Sequence, residues 1–162
     1  MERLKSMNLE DAAAIASWKY PHPYDLYSMD GSEEDISDLM NGDYVSVRSE
    51  EGEIIGFYCT GNSARVPGGY DAGIYHDESL VDFGLGMNPE LTGQGRGTRF
   101  VEEGIAYVKR SYPEKGIRLV VATFNGRAMR TYEKAGFKHF GVFTSPVHHR
   151  PTEFACMIKR DI

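Results

Sequence analysis

Hydrophobic residues recur at two spacings along the chain, and the change between them separates helices from strands. Spacings of three and four predict helices over 9–18, 32–40, about 95–112 and 126–135. Alternating or continuous apolar runs predict strands over 2–7, 80–87, 117–124, 137–143 and 152–159, and a hairpin over 44–61. Both kinds of element are therefore expected to contribute to the core.

Two stretches carry many turn-forming residues and little periodicity. Residues 61–79, "GNSARVPGGYDAGIYHDES", are expected to form a long, partly ordered connection. Residues 144–151, "TSPVHHRP", are expected to form a loop between the last two strands.

The order of the elements limits the fold. A strand, a helix and a second strand follow one another over 80–124, and such a crossover joins parallel strands. The expected fold is α/β (α+β), a mixed, partly parallel central sheet of about six to seven strands flanked by about four helices. The length of 162 residues suits one core of this kind, so we expect a single domain over 1–162.

Composition excludes several classes of protein. A formal charge of −6 without a basic stripe argues against nucleic-acid binding and favours cationic small partners. No apolar run approaches the roughly 18 residues of a membrane span, and the N-terminus lacks the layout of a signal peptide. Two cysteines make no disulfide framework, so a cytoplasmic protein is expected. No metal site is expected at His148 and His149, because a second ligand cluster is missing.

Three glycines alternate between a predicted strand and a predicted helix, at Gly93, Gly95 and Gly97. Backbone N–H groups in such a turn can bind a phosphate. A P-loop is excluded because it needs a lysine that is missing here, and a dinucleotide fingerprint fails at Pro89 and at Thr98. Close packing of the helix on the sheet remains an alternative role for the glycines.

Two motifs together resemble the GNAT superfamily of acetyl-CoA-dependent N-acetyltransferases. The stretch "LTGQGRGTRF" matches the family pattern [Q/R]-x-x-G-x-[G/A] over 92–97, except that Thr92 stands where the family has Gln or Arg. The stretch "ATFNGRAMRTYEKAGF" matches N-x-x-A-x-x-x-Y-x-x-x-G-F without a gap, at Asn125, Ala128, Tyr132, Gly136 and Phe137. The resemblance covers 80–140 in its motifs and most of the chain in element order.

The resemblance implies that acetyl-CoA (coenzyme A) is the cofactor, and it assigns residues to two parts of that molecule. The pantetheine arm would lie along the main chain of Leu85, Gly86 and Met87, where an N–H near Met87 polarises the thioester carbonyl. The pyrophosphate would lie among Gly93, Gln94, Gly95, Arg96, Gly97 and Thr98. Asn125 would contact the coenzyme while it caps a helix.

The resemblance also implies direct attack by a primary amine within a ternary complex. Tyr132 would protonate the leaving thiolate, although packing on the inner face of its helix is an alternative role. The predicted central strand 117–124 has no carboxylate, so Asp82 is the first candidate for the general base. A structural hydrogen bond is the alternative role of Asp82, and residues 76–78 or a water chain are the alternative bases.

The acceptor is expected to be an amine on a small molecule or a peptide. By resemblance its site is walled by 18–29, 68–79 and 144–151, where aromatic and acidic residues suit an amine with some apolar surface. The sequence does not decide whether the protein forms a homodimer. The alternative to an enzyme is a non-catalytic, regulatory acyl-CoA-binding module.

Overall fold

The computed structural model describes residues 3–160. Within that range lie seven strands, β1 (Arg3–Ser6), β2 (Tyr44–Arg48), β3 (Ile54–Thr60), β4 (Leu80–Met87), β5 (Gly116–Ala122), β6 (Lys138–Val147) and β7 (Arg150–Lys159). The same range contains five α-helices, α1 (Leu9–Ala16), α2 (Glu33–Leu39), α3 (Pro67–Asp71), α4 (Gly97–Ser111) and α5 (Gly126–Lys134). None of these helices is both long and apolar enough to cross a membrane.

The strands follow the order β1-β2-β3-β4-β5-β7-β6 in a mixed sheet. Strands β4 and β5 are parallel, whereas the pairs β1–β2, β2–β3, β5–β7 and β6–β7 are antiparallel. The prediction of a mixed, partly parallel sheet with helices is therefore confirmed. The described residues group into two compact units. The first unit comprises the residues up to Cys59 together with Leu85–Gly95, and the second comprises Thr60–Gly84 together with the residues from Arg96 onward.

The first unit is built on the antiparallel strands β1 to β3 and the helices α1 and α2. Asn8 caps α1, because its side chain accepts a hydrogen bond of 2.8 Å from the backbone N–H of Asp11. The apolar face of α1 packs with that of α2 into a buried cluster of Met7, Ala12, Ile15, Ala16 and Leu39. The 3.6-residue period seen in the sequence therefore corresponds to a real core face.

The second unit is built around β5, which is buried along most of its length. The buried face of α4 contributes Phe100, Val101 and Val108. Asn125 caps α5 as predicted, and Gly136, with φ +104°, follows its C-terminal end. The prediction of a buried central strand in this stretch is therefore confirmed.

The segment 61–79 is more ordered than predicted. It contains a short 3-10 helix over Gly61–Ala64 and the helix α3. The backbone N–H of Gly68 donates to Ser145 Oγ over 2.8 Å, and a Cβ at Gly68 would lie 2.1 Å from the Thr144 carbonyl oxygen. Contact with β6, which lies 77 positions away, explains why the local sequence did not predict this helix.

The predicted loop over 144–151 is wrong. Strands β6 and β7 continue through it in antiparallel register, with Pro146 opposite Pro151, and only His148 and His149 form the turn. Both histidines have positive φ, at 50° and 66°, as two-residue hairpin turns require. At the N-terminus, the predicted strand starts at Glu2, which lies outside the described residues.

Candidate active site

The glycine-rich turn before α4 forms a backbone cradle. Gly93 and Gly95 have φ values of +75° and +76°, and α4 begins at Gly97. A Cβ at Gly95 or Gly97 would meet nothing within 4 Å, and no side chain caps the helix at Arg96. The first N–H groups of a helix lack partners within it, so the turn offers open space beside donors that the helix itself does not use.

Side chains within the turn hold its shape. The hydroxyl of Thr92 donates to the Pro89 carbonyl oxygen over 2.9 Å, and Gln94 Nε2 donates to the Glu90 carbonyl oxygen over 2.9 Å. Thr92, which departs from the family pattern, therefore stabilises the turn locally. Gln94 folds back on the turn, so any contribution it makes to anion binding would come from its main chain.

The C-terminal end of β4 lies in the first unit and is closely packed. At Gly86 a Cβ would lie 2.4 Å from the Phe57 ring, so no larger residue fits there without movement. The backbone N–H of Asn88 donates to the Ile55 carbonyl oxygen over 2.7 Å. The hydroxyl of Tyr20 donates to the Met87 carbonyl oxygen over 2.7 Å. Nothing in the sequence distinguished Tyr20 from the other tyrosines of its loop.

The N-terminal end of β4 lies in the second unit and pairs with β5. The parallel register runs from Leu80 opposite Gly116 to Asp82 opposite Arg118. Strand β5 continues beyond that point, paired with β7 as far as Ala122. The parallel register therefore ends before Leu85, where the resemblance places the pantetheine arm.

Asp82 lies within an ion-pair cluster of the second unit. Its Oδ1 accepts from Arg118 Nε over 2.6 Å, and its Oδ2 accepts from Arg118 Nη2 over 3.0 Å and from Arg65 Nε over 2.7 Å. Asp82 and Arg118 are only 3% and 1% exposed. Protonation of Asp82 would remove the counter-charge of a buried guanidinium, so this geometry favours the structural role over proton acceptance.

Aromatic rings surround the same cluster. The Arg65 guanidinium lies 4.8 Å from the Tyr75 ring centroid and 5.6 Å from that of Tyr70. The Tyr75 hydroxyl accepts from the backbone N–H of Val66 over 3.0 Å, and burial raises the pKa of Tyr75 to about 12. Asp82, on β4, thus links the segment 65–75 to the sheet through its ion pair with Arg65. A lone arginine within the apolar run of β5 was the sequence signal that could have revealed this pair.

The predicted acid, Tyr132, lies on α5 with Asn125 at the start of the same helix. Tyr132 is buried, and its ring meets that of Phe137 edge-on with centroids 6.0 Å apart. Asn125 Oδ1 accepts from the backbone N–H of Ala128 over 3.2 Å. The position of Tyr132 is compatible with proton donation and with packing. The position of Asn125 is compatible with contact to the coenzyme and with helix capping.

The sequence was compared with models of known protein families. The model of the Acetyltransferase (GNAT) family matches residues 9–137. Because this match covers most of the chain, the protein belongs to the GNAT acetyltransferase family.

A curated relative is the mycothiol acetyltransferase of Acidothermus cellulolyticus. The two sequences are 32% identical over 95 residues. The match covers 56% of this chain and 28% of the relative, so it spans little more than a quarter of that protein's length.

Solved structures share the fold at low sequence identity. The GNAT-family acetyltransferase from Bacillus anthracis superposes with a TM-score of 0.73 at 15% identity, covering 98% of this chain and 94% of the other. Mutant forms of the spermidine/spermine N-acetyltransferase SpeG from Vibrio cholerae superpose with a TM-score of 0.70 at 17% identity, covering 99% and 95%. At these identities the likeness establishes the fold alone.

Proposed function

We propose that the protein transfers an acetyl group from acetyl-CoA to a primary amine, by direct attack within a ternary complex. The observation that carries the proposal is the backbone cradle before α4, in a chain that belongs to the GNAT acetyltransferase family. Acetyl-CoA, when bound, supplies an acetyl group activated as a thioester.

The cradle fits a pyrophosphate. Its donors would be main-chain N–H groups of Gly93, Gln94, Gly95, Arg96, Gly97 and Thr98. The open space over Gly95 and Gly97 lets an anion approach the backbone, and the positive end of the 15-residue helix α4 adds attraction. Asn125 would contact the coenzyme from its position at the start of α5.

The end of β4 would bind the pantetheine arm. Main-chain groups of Leu85, Gly86 and Met87 would hydrogen-bond to it as a neighbouring strand would. The N–H of Met87 would then point at the thioester carbonyl and stabilise negative charge on its oxygen. The end of the β4–β5 register at Asp82 supports this part of the proposal.

Two proton transfers accompany the attack. Tyr132 would donate a proton to the departing sulfur, because a phenol with an ordinary pKa near 10 can protonate a thiolate that is being formed. The amine loses a proton to water in our preferred scheme, since both oxygens of Asp82 are engaged by arginines. Asp77 is disfavoured, because hydrogen bonds from Ser79 and from Arg160 hold the pKa of Asp77 below its ordinary value. Asp82 stays the alternative base.

The acceptor would be an amine of a small molecule or a peptide. The net charge of −6 favours a cationic acceptor. Two of the similar proteins carry the names mycothiol acetyltransferase and spermidine/spermine N-acetyltransferase, so small amines are the first compounds to test. The cytoplasmic location and the homodimer stay predictions.

One observation favours a second candidate, a non-catalytic acyl-CoA-binding module. Strand β5 has no carboxylate, and the nearest buried carboxylate on β4, Asp82, is paired with Arg118. Retention of Tyr132 favours the enzyme, because a binding module needs no positioned acid.

Calorimetric titration with acetyl-CoA, with NAD and ATP as controls, tests the cradle first. Binding of acetyl-CoA alone is expected, and no binding would refute the proposal. A panel of small amines and peptides assayed for thiol release then separates the two candidates. Acetyl-CoA binding without thiol release from any amine would favour the binding module.

A further inference from the structure

A tyrosine in the segment 18–29, which was expected to wall the acceptor site, contacts the strand end at which the reaction is proposed to occur. Tyr20 lies between α1 and α2, and its hydroxyl donates to the carbonyl oxygen of Met87, the last residue of β4. The donor–acceptor distance is 2.7 Å, and 67 positions of sequence separate the two residues. The contact lies entirely within the first unit.

The peptide that joins Met87 to Asn88 is held at both of its ends. Its oxygen accepts from Tyr20, and its N–H donates to the Ile55 carbonyl oxygen over 2.7 Å. Two hydrogen bonds on opposite sides fix the plane of a peptide, whereas a peptide with one can pivot about it. The N–H of Met87 belongs to the adjacent peptide, so its direction depends on that plane.

Tyr20 is itself held in place before any ligand binds. Its backbone N–H donates to Ser28 Oγ over 2.9 Å, and its ring meets that of Tyr27 edge-on with centroids 6.3 Å apart. Lys19 Nζ closes the same loop by donating to the Met29 carbonyl oxygen over 2.8 Å. The hydroxyl therefore reaches Met87 from a pre-organised loop.

Burial favours the protonated form of the Tyr20 phenol, which is the form that donates a hydrogen bond. Burial, with a smaller effect of Tyr27, raises the pKa of Tyr20 above its ordinary value. The Tyr20 hydroxyl therefore keeps its proton to a higher pH than an exposed phenol does.

A cavity of about 420 Å³ adjoins the two partners. One wall comes from residues that flank Tyr20, and the other from 88–90, directly after Met87. This volume is within the range of small-molecule sites, about 300–1,000 Å³. The hydrogen bond between Tyr20 and Met87 joins the two segments that form the walls.

We propose that Tyr20 is a positioning residue for acetyl transfer, because its hydrogen bond to the Met87 carbonyl oxygen sets the direction of the Met87 N–H. This inference rests on the proposed function, in which that N–H polarises the thioester carbonyl. Tyr20 acts through the main chain and contacts no reacting atom itself.

Tyr20→Phe tests the inference, because it removes the hydroxyl and keeps the ring on Tyr27. We expect kcat to fall about tenfold, since small displacements of a catalytic group cost large factors in rate. The Kd for acetyl-CoA should stay within about twofold, because pyrophosphate binding is unaffected. The infrared carbonyl stretch of bound [1-¹³C]acetyl-CoA should shift toward its value in free solution, which a merely structural residue would not cause.

Tyr112→Phe is the matched control, because it removes a phenol hydroxyl just beyond the C-terminal end of α4. It should leave kcat and the carbonyl stretch unchanged. If Tyr20→Phe does not fold, Ser28→Ala replaces it as the test. Ser28→Ala removes the hydrogen bond to the backbone N–H of Tyr20, so it should shift the carbonyl stretch in the same direction.

Two results would overturn the inference. One is a folded Tyr20→Phe protein with the kcat of the parent, and the other is a lower kcat with an unshifted carbonyl stretch. Failure of the proposed function itself looks different, because the parent protein would then neither bind acetyl-CoA nor acetylate an amine, and the inference would fall with it.

Discussion

Asp82 and Arg118 face each other in register on the parallel strands β4 and β5. Arg118 Nε and Nη2 donate to the two carboxylate oxygens of Asp82 over 2.6 and 3.0 Å, at a depth where both residues are almost fully buried. Arg65 adds a second guanidinium to the same carboxylate over 2.7 Å. Burial of each charge is costly and is offset by these ion pairs, so Asp82, Arg118 and Arg65 behave as one structural element.

Asp82→Asn should strongly destabilise the protein. Removal of one partner of a buried pair leaves the other uncompensated, which costs about 3–5 kcal/mol. Urea unfolding of the variant and the parent measures the change in the free energy of unfolding. Asp77→Asn is the control, because it breaks the half-exposed pair with Arg160 over 2.7 Å and should cost far less. Equal effects of the two substitutions would contradict the structural role of Asp82.

The same variant decides between the two proton acceptors. If water accepts the proton of the amine, kcat/KM of Asp82→Asn should still fall toward acidic pH, because that fall reports protonation of the amine. The pH–rate profile is measured at low temperature, where the variant is folded. A flattened acidic limb would instead identify Asp82 as the general base.

Tyr132→Phe should lower turnover and leave coenzyme affinity unchanged. The variant keeps the edge-on contact with Phe137 and loses only the proton donor, so we expect a fall in kcat of about a hundredfold. Saturation kinetics and calorimetry separate kcat from the Kd for acetyl-CoA. Turnover equal to that of the parent would leave Tyr132 with a packing role.

Gly97→Val should prevent coenzyme binding without unfolding the protein. Its side chain would enter the open space over the cradle, and Gly97 does not have a positive φ that would strain it. Gly141→Val is the matched control, because it also adds a side chain in open space, but on β6. Calorimetry should detect acetyl-CoA binding by the control alone. Normal binding by folded Gly97→Val would mean that the glycines serve another purpose.

Stability should fall with rising pH between about 9 and 11. Burial is the main reason that the pKa of Cys156 is raised from 9.0 to about 11. The folded state then keeps a proton that the unfolded state loses, so stability is complete below pH 9 and declines as pH rises toward 11. The shift corresponds to about 3 kcal/mol. Urea unfolding at pH 8, 9, 10 and 11 should show a smaller decline for Cys156→Ala, and an equal decline would contradict the assignment.

Local signals predicted most elements because each signal reports on its own segment. Asn8 and Asn125 cap the helices that follow them, and the apolar run of β5 forms a buried central strand. The loop predicted over 144–151 failed because Pro146 and Pro151 resemble turn residues, although they face each other across an antiparallel pair. Helix α3 was missed because Gly68 owes its conformation to contact with β6.

The sequence by itself determined the family, the position of the glycine turn and the two helices that frame the candidate site. Those features depend on residue type at short spacing, and short spacing is visible in a sequence. Only the tertiary structure decided that Asp82 is held by Arg118 and Arg65, and that Tyr20 contacts Met87. These partners lie 17 to 67 positions apart, and chain folding alone brings them within hydrogen-bonding distance.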